Sequence, residues 1–279
     1  MDDIVLSHEP TIRLAAFLGI FAVMAAWELA APKRRLATSK LSRWIANIGM
    51  VVLNTVVVRL VFAAAAVGVA QAAEASGWGL LNVIALPGWI EVAAAVVLLD
   101  FVIYLQHVVF HAVPGLWRLH MMHHSDMDID VTTGARFHPV EILLSMVIKM
   151  TVVAALGPAP VAVVIFEVLL NATSMFNHAN VRLPGAADRV LRWLVVTPDM
   201  HRVHHSVIAR ETNSNFGFNM PWWDRLFGTY RDQPAAGHQG MTIGLDQFRD
   251  PGRLSLPRLL LLPVHGEVGG YPLGRRERG

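Results

Sequence analysis

Histidine is the residue through which this chain can do chemistry. Ten of its 13 histidines lie between positions 107 and 205. Eight of these fall into three boxes: His107-Val-Val-Phe-His111, His120-Met-Met-His123-His124 and His201-Arg-Val-His204-His205. Residues three and four apart share a helix face, so each box presents its imidazoles side by side. Two imidazoles at that spacing can converge on one ion at metal–nitrogen distances of about 2.0–2.1 Å. Eight such ligands exceed what one tetrahedral or octahedral ion accepts, and two metals is the simplest count. A lone histidine on an apolar face is usually a core residue; three boxes together point to metal.

The ligand chemistry narrows further. Cysteine is absent, which removes disulfides, thiolate zinc sites and iron–sulfur clusters. Imidazole suits zinc, iron, copper and nickel. A zinc hydrolase wants a glutamate beside its histidines, as in H-E-x-x-H, whereas the residues inside these boxes are Val, Phe, Met and Arg. An all-nitrogen, two-metal site suits redox iron and O2 better than hydrolysis, with zinc as the possible substitute. Near the boxes, His138 precedes Pro139 and reads as a ligand or a donor behind the ligands. Asp100 stands seven residues before His107 on the same helical face, with Tyr104 between them; it could orient a ligand imidazole or line a cavity. Asp224 is expected to orient a box histidine or cap a loop. Trp222 and Trp223 read as membrane-interface anchors, and Met121 and Met122 as packing.

The elements that must position these boxes are apolar helices. Of the 279 residues, 54% are hydrophobic and only 16% charged, with a mean hydropathy of +0.46; a soluble domain carries about 25% charge. The net charge is +2, and no basic stripe interleaved with aromatics is present, so nucleic acid is not an expected partner. A bilayer needs about 20 apolar residues per helical span. Residues 12–31 supply a first span, read as a retained helix rather than a signal peptide. Roughly 44–73 supplies a second, and 89–113 a third that ends in the first box. Arg59, inside the second, implies either a bundle-facing cation or a broken helix with a snorkelling arginine. Residues 141–177 are apolar but interrupted by Gly157-Pro158-Ala159-Pro160, a strong helix stop. They read as a hairpin with Lys149 and Glu167 opposite each other and paired. Lys33, Arg34, Arg35, Lys40 and Arg43 follow the first span, which by the positive-inside rule puts that loop in the cytoplasm. Every histidine from 107 to 205 then falls on or near the cytoplasmic face.

The predicted fold is therefore all-α and integral to a membrane: a bundle of about four to five transmembrane or hairpin helices under a cytoplasmic, histidine-rich helical cap. The expected divisions are N-terminal transmembrane helices over 1–113, a histidine-box segment over 114–140, the hairpin over 141–177, a cap carrying the third box over 178–265 and a mobile tail over 266–279. A metal transporter would place ligands near mid-bilayer on broken helices, unlike this one-sided cluster.

In order and spacing the three boxes resemble the fatty acid hydroxylase / sterol desaturase superfamily of integral-membrane di-iron oxygenases. Arg136-Phe-His138-Pro139-Val-Glu141, Asn177-His178-Ala-Asn180, Thr197-Pro198-Asp199, Asn215-Phe-Gly217 and Trp223-Asp224-Arg225-Leu-Phe-Gly228-Thr229 extend the likeness over about 100–230. Many members carry Arg after the first histidine, where this chain has Val108, and Asn-Tyr-Gly where it has Asn215-Phe216-Gly217. The resemblance implies two irons held by the eight box histidines, with His178 similar to a further single ligand and Asn215 near the site. It implies O2-dependent hydroxylation or desaturation of an unactivated C–H in a fatty acyl chain, sterol or related lipid. The chain has no flavin, haem or nicotinamide motif, so electrons must come from a separate donor, cytochrome b5-like or ferredoxin-like. The membrane is of the bacterial inner or endoplasmic-reticulum type. A zinc-dependent lipid hydrolase and a non-catalytic metal-binding or transport protein are the alternatives.

Overall fold

A computed structural model describes residues 2–84 and 86–273. After a short helix, Asp2–Ser7, the main elements are α1 (Glu9–Ala30), α2 (Lys40–Val61), α3 (Ala66–Ala75), α4 (Gly88–Ala112), α5 (Pro114–His124), α6 (Pro139–Leu156), α7 (Pro160–Asn177), α8 (Pro198–His204) and α9 (Leu256–His265). No β-strand occurs among the described residues, only isolated bridges. Proline opens α5, α6, α7 and α8, where its fixed φ and missing N–H suit the first turn. Five segments are long and apolar enough to cross a membrane: α1, the composite Lys40–Val83, α4, α6 and α7. Their outward faces carry large aliphatics such as Leu14, Leu18, Val52 and Leu60.

The second span, expected over roughly 44–73 with a break as one of two readings, is not one helix. It breaks between Val61 and Ala66, where neither Gly nor Pro demands it. The cause is tertiary: Ala66, Ala70 and Ala73 are fully or almost fully buried, and Ala66 and Ala70 pack with Val153, Val163 and Phe166 of the hairpin. A straight continuation of α2 would forfeit that close-packed alanine face. Arg59, near the break, is exposed, as the broken-helix reading requires.

The hairpin turns at Gly157, whose φ of +58° is left-handed. Its amide hydrogen-bonds back to Val153 O at 2.8 Å, and a Cβ there would collide with the Trp78 carbonyl and the Asn82 side chain. Gly157→Ala is therefore expected to lower stability by about 1–3 kcal/mol, readable as a lower melting temperature in detergent. Between the arms, Lys149 is paired with Glu167. Arg13 of α1 joins them at 2.9 Å, so one buried carboxylate ties three helices together.

At the other end of the bundle, α2 turns its polar face inward. Arg43 donates to Asp126 (2.6 and 2.9 Å) and Asp130 (2.6 Å), Asn47 to Thr132 (2.9 Å) and Asn54 to the Phe137 carbonyl (2.8 Å). This lattice fixes the 125–137 loop that joins the second box to α6. The tail expected to be mobile is partly docked. Tyr271 is buried and stacks on Trp117 at 5.8 Å, Trp117 Nε1 donates to Val268 O (3.1 Å), and Leu273 N donates to His111 O (3.0 Å). One aromatic side chain, whose hydroxyl also donates to Val207 O (2.8 Å), anchors a stretch whose Gly- and Arg-rich composition reads as mobile; residues 274–279 lie outside the described ones.

Candidate metal centre

Nine histidines converge at the end of the bundle, none more than 5% exposed. They form two groups: His107, His111, His120, His124 and His204, and beside it His123, His178, His201 and His205. Within each group one nitrogen per ring lies within 4.8 Å of every other. The boxes do not map one to a group. His120 and His124 enter the first while His123 enters the second, and His201 and His205 enter the second while His204 enters the first. Residues i and i+4 differ by about 40° around a helix, but adjacent residues differ by about 100°. A box of the form H-x-x-H-H thus feeds two clusters from one turn, instead of presenting all three imidazoles to one face.

Ring tautomers are set from outside the cluster. His107 Nδ1 donates to Phe216 O (2.8 Å), His111 Nδ1 to Asn213 Oδ1 (3.0 Å), His120 Nδ1 to Glu141 Oε1 (2.6 Å), His123 Nδ1 to Arg136 O (3.2 Å), His178 Nδ1 to Ser174 O (2.7 Å) and His204 Nδ1 to Ser214 O (2.8 Å). Each partner accepts only, so Nδ1 carries the hydrogen and Nε2 keeps its lone pair facing inward. The amide of Asn213 is itself oriented, since its Nδ2 donates to Tyr271 O at 2.6 Å.

These residues fit metal ions. Nε2 of His111, His124 and His204 and both ring nitrogens of His205 are buried without a hydrogen-bond partner, an expensive state unless something binds there. The Nε2 atoms of His107 and His120 are 3.1 Å apart, His178 and His123 3.2 Å, and His201 and His178 3.0 Å. Two nitrogens bound at right angles to one ion, each about 2.1 Å away, are about 3 Å apart. Burial, reinforced by neighbouring imidazoles, holds His123, His124, His201, His204 and His205 well below the ordinary histidine range. Burial likewise lowers His178 to about 4, against the pull of the Ser174 carbonyl. These six rings are neutral at physiological pH and ready to ligate. Neither group contains a carboxylate among the described residues. Phe137 stacks on His123 at 4.6 Å, and Phe216 packs edge-on against His107, His111 and His204, so aromatic rings wall the site.

Other expected residues sit elsewhere. His138 lies outside both groups: its Nδ1 caps α6 by accepting from Val140 N (3.2 Å), and its Nε2 donates to Leu260 O (3.2 Å), because Pro139 places it at the helix start. Asp100 meets no imidazole. It accepts from Asn219 N (3.1 Å), Met220 N (3.3 Å) and Trp223 Nε1 (2.8 Å). Seven residues keep it on the face of His107 but about 10 Å further along the axis, where the 219–223 loop passes. Asp224 takes the loop-capping role, accepting from Phe216 N and Gly217 N, both at 2.8 Å, and from Thr229 Oγ1 at 2.7 Å. It thereby holds the Phe216 carbonyl against His107. Burial pushes its carboxyl up to about 6, against the hydrogen bonds from Thr229, Gly217 and Phe216. Tyr104 donates to Thr229 Oγ1 (3.0 Å), bracing the same loop. Asn215 is in the left-handed region at φ 53° and links Met200 O to Arg231; it touches neither group. Trp222, at 43% exposure, is the more outward of the two tryptophans, while Trp223 packs on Phe101 at 4.7 Å.

Sequence reasoning missed the orienting roles of Glu141, Asn213, Ser214 and Ser174. Only Glu141 left a trace, as part of the motif after His138. Glu141→Ala is expected to weaken metal binding about 10–100-fold, readable by chelator competition, while the α6 cap at His138 stays in place.

An all-helical bundle with five membrane-length segments, closed at one end by two all-histidine clusters, defines the class. A family model described as fatty acid hydroxylase matches residues 92–229, which include all nine histidines. The ornithine lipid hydroxylase OlsE of Rhizobium tropici is 32% identical over 146 residues, covering 52% of this chain and 43% of that protein. An alkylglycerol monooxygenase of Xenopus tropicalis is 28% identical over 167 residues (58% and 35%), and methylsterol monooxygenase 2-2 of Arabidopsis thaliana 26% over 155 (54% and 58%). The match spans less than two thirds of the length of each of these relatives. No solved structure matches the chain. The chain belongs to the fatty acid hydroxylase / sterol desaturase superfamily.

Proposed function

We propose that this chain is a two-iron, O2-dependent oxidoreductase that hydroxylates or desaturates an unactivated C–H of a membrane lipid. The observation that carries this reading is the pair of adjacent, fully buried clusters of five and four imidazoles with no carboxylate ligand. Zinc takes three or four protein ligands and, for hydrolysis, a neighbouring general base; a five-nitrogen cluster offers too many of one and none of the other. Three relatives are named for hydroxylation or monooxygenation of ornithine lipid, alkylglycerol and methylsterol, which supports a fatty acyl, ether-lipid or sterol-like substrate here.

His107, His111, His120, His124 and His204 would hold one ion, and His123, His178, His201 and His205 the other. Bound iron would supply the redox chemistry that activates O2 against the C–H bond. The chain's own work is to keep the imidazoles of His123, His124, His178, His201, His204 and His205 neutral by burial, fix the Nε2 atoms of His107, His111, His120, His123, His178 and His204 inward through the acceptors on Nδ1, and exclude bulk water with Phe137 and Phe216. Hydroxylation consumes the lipid C–H, one O2, two electrons and two protons, giving the alcohol and one water. Desaturation takes two hydrogens from neighbouring carbons and gives two waters. Both require the external cytochrome b5-like or ferredoxin-like donor.

The basic residues Lys33 and Arg43 lie at the histidine end of the bundle, joined to Asp199 and Asp126. This supports a multi-pass protein of a bacterial inner or reticulum-type membrane whose centre, under a cap of residues 178–265, faces the cytoplasm. The test is mass spectrometry of total lipids from cells making this chain beside cells making His204→Ala. The expected result is a lipid gaining one oxygen, or losing two hydrogens, only with the intact chain. Such a lipid appearing equally in both would overturn the proposal.

A further inference from the structure

Beside the metal centre, where α1 ends and α2 begins, a groove of about 750 Å³ opens. Its backbone is rigid. Pro32 pairs with Val181 in an antiparallel bridge, Lys33 N donates to Asn180 O and Arg182 N to Ala31 O, both at 2.9 Å. The Asn180 side chain clasps Arg34 through N–H (3.0 Å) and carbonyl (2.9 Å). This rung fixes Arg35 on one side and Arg182 on the other.

The cations of this segment divide into two sets. Lys33 is taken by Asp199 at 2.6 Å, and Arg34 by the carbonyls of His238 and Met241. Arg35 and Arg182 are exposed and make no ion pair or side-chain hydrogen bond. Lys40 completes the set, with Nζ 3.6 Å from Glu28 Oε2 and 4.8 Å above the Trp44 ring. Of the two acids lining the groove, Asp130 is bound by Arg43, and Glu28 has its Oε1 occupied by Val131 N (2.7 Å) and Asn180 N (2.8 Å); Asp128 nearby is held by the amides of Ala37 (2.9 Å) and Thr38 (2.8 Å). Three cations thus face one carboxylate. The same groove is lined by Leu29 and Leu36. Leu29 is 74% exposed, as are Leu41 (71%) and Ile45 (65%) on the next helix.

We infer that this groove binds the phosphate of an anionic glycerophospholipid, with Arg35, Arg182 and Lys40 on the headgroup and Leu29 and Leu41 along the first carbons of its chain. Basic pockets between spanning helices are suited to such headgroups. An acidic protein would need the cations but not the exposed aliphatics beside them, and the groove sits where two membrane-length helices end. The site does not depend on the metal reading, since none of these side chains touches a histidine of either group.

Native mass spectrometry of the full chain, released from micelles holding equal phosphatidylglycerol and phosphatidylcholine of one chain length, tests it. The wild type should retain phosphatidylglycerol preferentially. Arg35→Gln and Arg182→Gln, singly and together, should reduce that preference about fivefold per arginine removed. Arg253→Gln, a 72%-exposed arginine elsewhere, should leave it unchanged. Equal retention of the two lipids, or an undiminished preference in the double variant, would overturn the proposal. Displacement of the lipid by inorganic phosphate alone would overturn it too, assigning the groove to a free anion.

Discussion

His123→Ala and His124→Ala, changes at neighbouring positions, should empty different metal sites. His124 shares its cluster with His107, His111, His120 and His204, while His123 shares its own with His178, His201 and His205. Each variant should lower bound metal from about two ions per chain to about one, and each should abolish lipid oxidation. The second cluster falls from four ligands to three on losing His123, so its ion should leave at a lower chelator concentration. Elemental analysis across a chelator titration reads both effects. One ion lost in common, or both lost from either variant alone, would mean that the nine imidazoles act as a single site.

Arg43→Met should cost the folded state about 3–5 kcal/mol, a large share of the 5–15 kcal/mol typical of a folded protein. The guanidinium is only 5% exposed, and Asp126 and Asp130, which it binds, are 0% and 1% exposed. Removing it leaves two buried carboxylates of the 125–137 loop without their cation, hydrogen-bonded only by neutral donors such as Asn47, Thr133, Trp44 and Thr132. That loop carries Arg136, whose carbonyl holds His123 Nδ1, so metal affinity should fall together with stability. A pH dependence follows from the same group. Burial alone would raise the Asp126 carboxyl, but the Arg43 and Arg136 guanidinium groups hold it below the usual carboxylate range. Its contribution is complete above the unfolded value of about 4 and is lost as pH falls below that. Thermal melts in detergent between neutral and acid pH should show the wild type losing stability on acidification, with Arg43→Met flatter. A loss below about 1 kcal/mol on Arg43→Met would place the pair among those that contribute little.

The clustered histidines are legible in the sequence because box spacing is a helical property, and local helix geometry survives into the folded state. Hydropathy likewise located α1, α4 and the hairpin, and the expected contact of Lys149 with Glu167 is present. What the shared-face rule does not resolve is the roughly 100° between His123 and His124, which sends the two neighbours to different clusters. The acceptors on Nδ1 were hidden for another reason. Asn213 reaches His111 across 102 positions and Phe216 reaches His107 across 109, and no local pattern encodes such a meeting. Asp100 shows the limit of the face argument, being right in azimuth but two turns away in height. The place of the break, after Val61, and the docking of Tyr271 are not encoded locally, because both depend on surfaces made by other helices.

The most direct measurement is lipid turnover by the purified chain in lipid nanodiscs, loaded with iron or with zinc and supplied with a chemical reductant, in air and under argon. The expected result is a lipid gaining oxygen or losing two hydrogens only with iron, reductant and O2 together. Lipid cleavage by the zinc-loaded chain under argon would contradict an oxygenase and make the nine histidines a hydrolytic centre.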